Sequence, residues 1–145
     1  MSELLFNKKV VIDASAMQVW HALTEPLTMT QWMSENEIEV ITDWQPGSQV
    51  IIRGAWYKTG FENRGIVLQH ELGRVLEYTH LSSLSRLPDV PDNHSVFLCT
   101  LQPLADETVV SISIRNFPTE TIYKHLAFYW NVALELLKKF VEQNK

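Results

Sequence analysis

Residues 119–145 read TETIYKHLAFYWNVALELLKKFVEQNK. Neither Gly nor Pro interrupts the stretch, and its apolar residues recur at helical spacing. Leu126, Trp130, Ala133, Leu134, Leu137 and Val141 fall on one stripe, which Ile122, Tyr129, Leu136 and Phe140 widen. Lys124, Glu135, Lys138, Lys139 and Glu142 take the opposite side. Thr119 suits an N-cap, and Glu120 sets a negative charge in the first turn, where the helix dipole favours it. At about 1.5 Å per residue such a helix is on the order of 35 Å long. A stripe of that length needs an equally long apolar surface to cover.

The preceding sequence supplies one. Residues 4–12 read as a strand ending in Val10, Val11 and Ile12. Ser15 and Gln18 have the spacing of a capping box, which opens a short helix over residues 16–24. Glu25 precedes Pro26 and is pushed out of helical geometry, so that helix stops there. Pro26 suits the first turn of a second short helix ending near Met33, with Leu27, Trp32 and Met33 facing inward. Beyond Ser34 the apolar period becomes two. Strands are expected around residues 37–42 and over 49–57, 61–71, 74–81, 95–101 and 108–116, joined by short links at Trp44-Gln45-Pro46-Gly47, Gly73 and Ala105-Asp106-Glu107. Short links between consecutive strands make an antiparallel meander. Residues 82–94 form a longer connection carrying Pro88 and Pro91, the best candidate for a mobile loop. The expected fold is α+β: a curved antiparallel sheet of six or seven strands wrapped around a long C-terminal helix, with two short helices after the first strand.

Size and charge narrow the classes. A chain of 145 residues fits one compact domain spanning residues 1–145. Its formal net charge of −5 and scattered Lys and Arg argue against a nucleic-acid surface. The single cysteine, Cys99, excludes an internal disulfide. No apolar run reaches the length of a membrane span, and residues 1–13 lack the pattern of a secretory signal. A cytoplasmic location is the expectation.

The segment VVIDASAMQVWHALTEPLTMTQWM carries a more specific signal. Ser15, Val19-Trp20, Thr24-Glu25-Pro26 and Trp32 follow one another as in the START-like (SRPBCC) superfamily. They most resemble proteins similar to the C-terminal domain of the heat-shock chaperone ATPase activator. Trp44-x-Pro46-Gly47, Gly65-x-Val67, Leu76-x-Tyr78, Thr108 and Trp130 with Leu137 continue in the same order. The resemblance spans nearly the whole chain and implies a helix-grip fold. It implies no single activity, because the superfamily includes lipid carriers, hormone receptors, cyclases and dioxygenase subunits. Function must come from the site.

Reactive chemistry finds little support. His21, His70, His80, His94 and His125 show no metal-binding spacing, and His70 and His80 are set apart along a hairpin centred on Gly73. Cys99 sits in an apolar strand and reads as a small core residue. Glu37 and Glu39 share a solvent-side strand face. Arg53 points to solvent, and Arg86 lies in the long loop, where it can meet an acidic head group. No nucleophile elbow or phosphate loop occurs, so no catalytic residue, metal or cofactor is implied.

The aromatic set is more informative. Trp32, Trp56, Tyr78, Phe97, Tyr129 and Trp130 are the candidate walls of an enclosed space between sheet and helix, with ordinary core packing as the competing account. Trp20 belongs to the core under the first helix. The reading that follows is a non-catalytic binding module for a hydrophobic small molecule or lipid, admitted by movement of residues 82–94. The alternative is a protein-binding domain that contacts a chaperone as the resembled activator does. A third is a cyclase- or hydrolase-like enzyme using positions such as Tyr78 or His80.

Overall fold

A computed structural model describes residues 4–56 and 58–145, and for Trp56 the backbone only. The elements run β1 (Phe6–Ile12), α1 (Ala16–Thr24), α2 (Pro26–Trp32), β2 (Ile38–Ile41), β3 (Gln49–Trp56), β4 (Thr59–Glu71), β5 (Val75–Ser82), β6 (Ser95–Leu104), β7 (Glu107–Arg115) and α3 (Glu120–Gln143). Short 3-10 turns at Ser83–Ser85 and Pro91–Asn93 occupy the long connection. The strands form one curved antiparallel sheet in the order β1-β7-β6-β5-β4-β3-β2. Every neighbour from β2 to β7 is a hairpin partner. Only β1 pairs non-locally, from Phe6 opposite Ile114 to Ile12 opposite Thr108.

The local chemistry fixes these elements as the sequence predicts. Ser15 Oγ accepts from the Gln18 backbone N–H while Gln18 Oε1 accepts from the Ser15 N–H, completing the capping box. Glu25 ends α1 in extended geometry and also caps α2, its carboxylate accepting from the N–H groups of Leu27 and Thr28. Those bonds, with one from the Thr28 hydroxyl, hold the Glu25 carboxyl below its usual pKa. Gly73 turns the β4–β5 hairpin at φ 72, closed by Arg74 N–H donating to Glu71 C=O at 2.9 Å. Thr119 caps α3 through the Ile122 N–H.

The core lies between the concave sheet face and the helices. Leu126, Trp130, Ala133, Leu134, Leu137 and Val141 of α3 are buried, as their spacing predicts. Leu134 and Leu137 are fully shielded, and each contributes about 1.5–3 kcal/mol by leaving water. Two inward assignments are corrected. Leu27 is 75% exposed, and Met29 fills the core position at 2%. Leu136 is 42% exposed, on the outer side of α3 with Phe128 and Val132.

Polar ties set the pitch of α3 across the sheet. Lys8 lies on β1 between the buried Phe6 and Val10. Its Nζ passes the helix edge to donate to Asn131 C=O at 2.8 Å and to pair with Glu135 at 3.3 Å. Lys138 Nζ donates to Val11 C=O, and the Asp13 N–H donates to Glu142. The C-terminal half of α3 is thereby tied along β1, and its N-terminal half reaches over β5 and β6.

Candidate ligand-binding site

Strand alternation decides which side chains meet under α3. On β5, Leu76 and Tyr78 belong to the core, and His80 follows at the same parity. On β6, Ser95, Phe97, Cys99 and Leu101 alternate inward, all buried. The register sets Tyr78 opposite Phe97 and His80 opposite Ser95. Directly paired inward residues have Cβ atoms about 4.5–5.5 Å apart.

Five of the six predicted wall residues converge here. Tyr78 and Phe97 have ring centroids 4.9 Å apart, Phe97 and Trp130 4.7 Å, and Trp130 and Tyr129 5.3 Å. Trp32 reaches the group from α2 at 6.4 Å from Trp130. The series continues beyond Tyr78 to Trp44, at 5.6 Å. These are ordinary aromatic packing distances, so the rings already share faces with one another. The sixth, Trp56, closes β3 opposite Thr59, and its side chain lies outside the described residues.

The polar tips of these aromatics divide into two sets. Trp32 Nε1 donates to Ala22 C=O at 2.8 Å, and Trp44 Nε1 donates to Thr24 C=O at 2.6 Å. Both indoles thereby satisfy carbonyls at the C-terminus of α1. Tyr129 donates its hydroxyl proton to Met33 C=O at 2.8 Å. These three tips are committed to the protein. The Tyr78 hydroxyl finds no hydrogen-bond partner among the described residues, and burial keeps it protonated well above the usual phenol range.

Two further inward groups join it. The His80 ring makes no hydrogen bond to another described residue. It is half-buried, yet surrounded densely enough that burial pushes its pKa down to about 4, with His94 and His125 adding repulsion. The imidazole is therefore neutral at pH 7. Ser95 is 1% exposed, and its hydroxyl has no partner among the described residues. A buried hydroxyl left unpaired costs about 1–3 kcal/mol. Ser95 and His80 are not hydrogen-bonded to each other, so the pair lacks the base-to-nucleophile contact that covalent catalysis uses. Cys99, four residues along β6 from Ser95, is fully buried, and burial pushes its thiol up to about 12. It is a core residue, as its strand setting implied.

The other predicted positions fall away from this group. His70 lies opposite Leu76, under α1, 5.3 Å from Trp20. Arg53 points outward and pairs with Glu39 and Glu62. Arg86 is exposed at φ 61 in the long connection. The end of that connection is fastened to the outer sheet face. His94 Nε2 donates to Asp89 at 2.6 Å, and its Nδ1 lies 3.0 Å from the Thr79 hydroxyl, which accepts from the Ile66 N–H. Asn116 adds two bonds, from its side-chain amide to the carbonyls of Asp92 and His94. An open depression of about 390 Å³ lies elsewhere, where Met17, His21, Thr28 and Gln31 face Phe140 and Asn144.

Sequence reasoning missed Trp44 and Ser95. Trp44 adopts φ 58, and nothing in a Trp-x-Pro-Gly turn reports that its indole folds back onto α1. Ser95 was legible only as the first inward position of a strand otherwise apolar on that side.

With this geometry in hand, comparison with known proteins is decisive on kinship. The sequence pattern of the family described as "Activator of Hsp90 ATPase homolog 1-like protein" matches residues 13–142. The chain belongs to that family. Among solved structures, the activator-homologue-like chain is similar to ChR145 from Cytophaga hutchinsonii. The two share 35% identity over 99% of this chain and 97% of that one, at a TM-score of 0.83. Two more distant structures share the fold. The Aha1 dimer from Colwellia psychrerythraea aligns at 18% identity, TM-score 0.74, over 96% of each chain. CalU16 from Micromonospora echinospora aligns at 20% identity, TM-score 0.71, over 95% of this chain and 83% of that one. No functionally curated protein matches the chain. Among the described residues, no helix of this family member is long and apolar enough to cross a membrane.

Proposed function

We propose that this protein binds an apolar small molecule or lipid between the concave sheet face and the N-terminal half of α3. The observation that carries the reading is the convergence of Tyr78, Phe97, Tyr129 and Trp130, where the Tyr78 hydroxyl, the His80 ring and Ser95 Oγ make no hydrogen bond to another described residue. Aromatic walls with a few polar groups are the ordinary composition of a small-molecule site. Removing apolar ligand area from water at about 25 cal/mol per Å² drives entry, less the cost of ordering. The 82–94 connection, between the exposed Leu84 and the fastened His94, is the entry point in this reading. The protein works in the cytoplasm.

Naphthalene titrated into isotopically labelled protein tests it. The expected shifts centre on Leu76, Phe97, Cys99 and Trp130, and Trp130→Ala changes the affinity at least several-fold. Shifts confined to Met17, His21 and Phe140 would move the site to the open depression, and no binding would end the carrier reading.

One observation favours a second reading. Phe128, Val132 and Leu136 are 74%, 47% and 42% exposed at every fourth position of α3, an apolar stripe facing solvent. Such a stripe suits a protein contact, and the family's description points to a chaperone as the partner. Phe128→Glu should then abolish chaperone binding and leave naphthalene binding intact.

A further inference from the structure

The interior polar groups narrow the class of ligand, an inference that rests on the carrier reading above. Ser95 Oγ is buried and without a partner among the described residues. His80 lies directly across the β5–β6 pair from it. Tyr78 is the next inward residue on β5, its hydroxyl also unpartnered among the described residues. Three hydrogen-bonding side chains therefore start from adjacent inward strand positions, beside the Tyr78–Phe97 segment of the aromatic series. A hydroxyl that is shielded from bulk water and unmatched by protein is completed by something else inside.

Its charge can be argued as well. The inward positions of β5 and β6 hold no Lys or Arg, and β1's Lys8 is held by Asn131 and Glu135 at the rim of α3. A carboxylate or phosphate brought to Ser95 would lose its hydration without a cation to meet it. Ser and Tyr hydroxyls and a neutral imidazole offer both donors and acceptors. They match an uncharged hydroxyl or carbonyl.

We propose that Ser95, His80 and Tyr78 form the polar end of the site and select an uncharged ligand bearing a hydroxyl or carbonyl group on an apolar, ring-sized body. The body packs against Phe97 and Trp130, and the polar group accepts from or donates to Ser95 Oγ.

Calorimetric titration with three probes of one shape, naphthalene, 2-naphthol and 2-naphthoate, tests this. Wild type should bind 2-naphthol roughly tenfold more tightly than naphthalene, as one well-made buried hydrogen bond allows, and 2-naphthoate most weakly. Ser95→Ala should remove the preference, so that 2-naphthol and naphthalene bind alike. In labelled wild-type protein, 2-naphthol but not naphthalene should shift the Ser95 amide and the His80 ring. That measurement stands even if the variant folds poorly. Equal binding of naphthalene and 2-naphthol by wild type would overturn the polar-end assignment and leave the carrier reading intact. So would a preference retained in Ser95→Ala, or a preference for 2-naphthoate. Failure of all three probes to bind would overturn both.

Discussion

Acidification from pH 7 to pH 4.5 should cost this protein about 2 kcal/mol of stability through His80 alone. The ring's pKa is about 4 in the folded chain against an ordinary value of 6.5. Between those values the unfolded chain binds the proton and the folded one does not. Folding therefore loses ground as pH falls through that window, and the loss levels off below about pH 4. At about 1.4 kcal/mol per pH unit the full interval is worth about 3 kcal/mol, of which pH 4.5 realises about 2. His80→Asn keeps a polar side chain and removes the titration. Urea unfolding of both proteins at pH 7 and 4.5 isolates the effect, because the other histidines are common to both. The same holds for the carboxyls of Asp13, Glu25, Asp43, Glu62 and Glu142, whose lowered pKa values make folding lose further ground from their ordinary values downward, to the same extent in both proteins. Wild type should lose about 2 kcal/mol more than the variant. Equal losses, or a His80 ring that titrates near 6.5 by NMR, would refute the account of a shielded imidazole under α3.

Two other perturbations follow from the packing. A Cβ on Gly65 would fall 1.6 Å from Thr79 O and 2.6 Å from its carbonyl carbon, both backbone atoms that cannot step aside. Gly65→Ala should therefore destabilise by on the order of 3 kcal/mol or more, whereas Gly60→Ala, whose Cβ would meet only Gly54 O at an ordinary 3.9 Å, should differ from wild type by less than about 1 kcal/mol in chemical denaturation. Cys99 should resist iodoacetamide at pH 8 in the native state and react once urea unfolds the chain, since burial both hides the thiol and keeps it protonated; rapid native alkylation would contradict its placement.

The architecture was legible where local chemistry and period agree. Ser15 with Gln18, Glu25 before Pro26, Gly73 in its hairpin and the uninterrupted stripe of α3 each encode their structure within a few residues. Failures occurred where a neighbour far along the chain decides. α2 is only 7 residues long, so its apolar residues could face either way, and contact with the sheet selects Met29 over Leu27. Leu136 looked inward from spacing alone, yet the inner arc of α3 is already filled by Ala133, Leu134 and Leu137. The candidate site divides in the same manner. Aromatic positions announced themselves by type and strand parity, whereas the unmatched state of the Ser95 hydroxyl depends on every group around it, and no sequence pattern carries that.

The two indoles fastened to Ala22 and Thr24 act as bolts on the corner where α1 turns into α2. One comes from the end of α2 and the other from the turn before β3, so that corner cannot swing outward without breaking both bonds together. In the carrier reading, a breathing motion that admits a ligand begins away from that corner, at the rim marked by the exposed Leu84. Locking that rim with a cross-link should therefore slow exchange of a bound guest, and stiffening the bolted corner should leave its residence time unchanged.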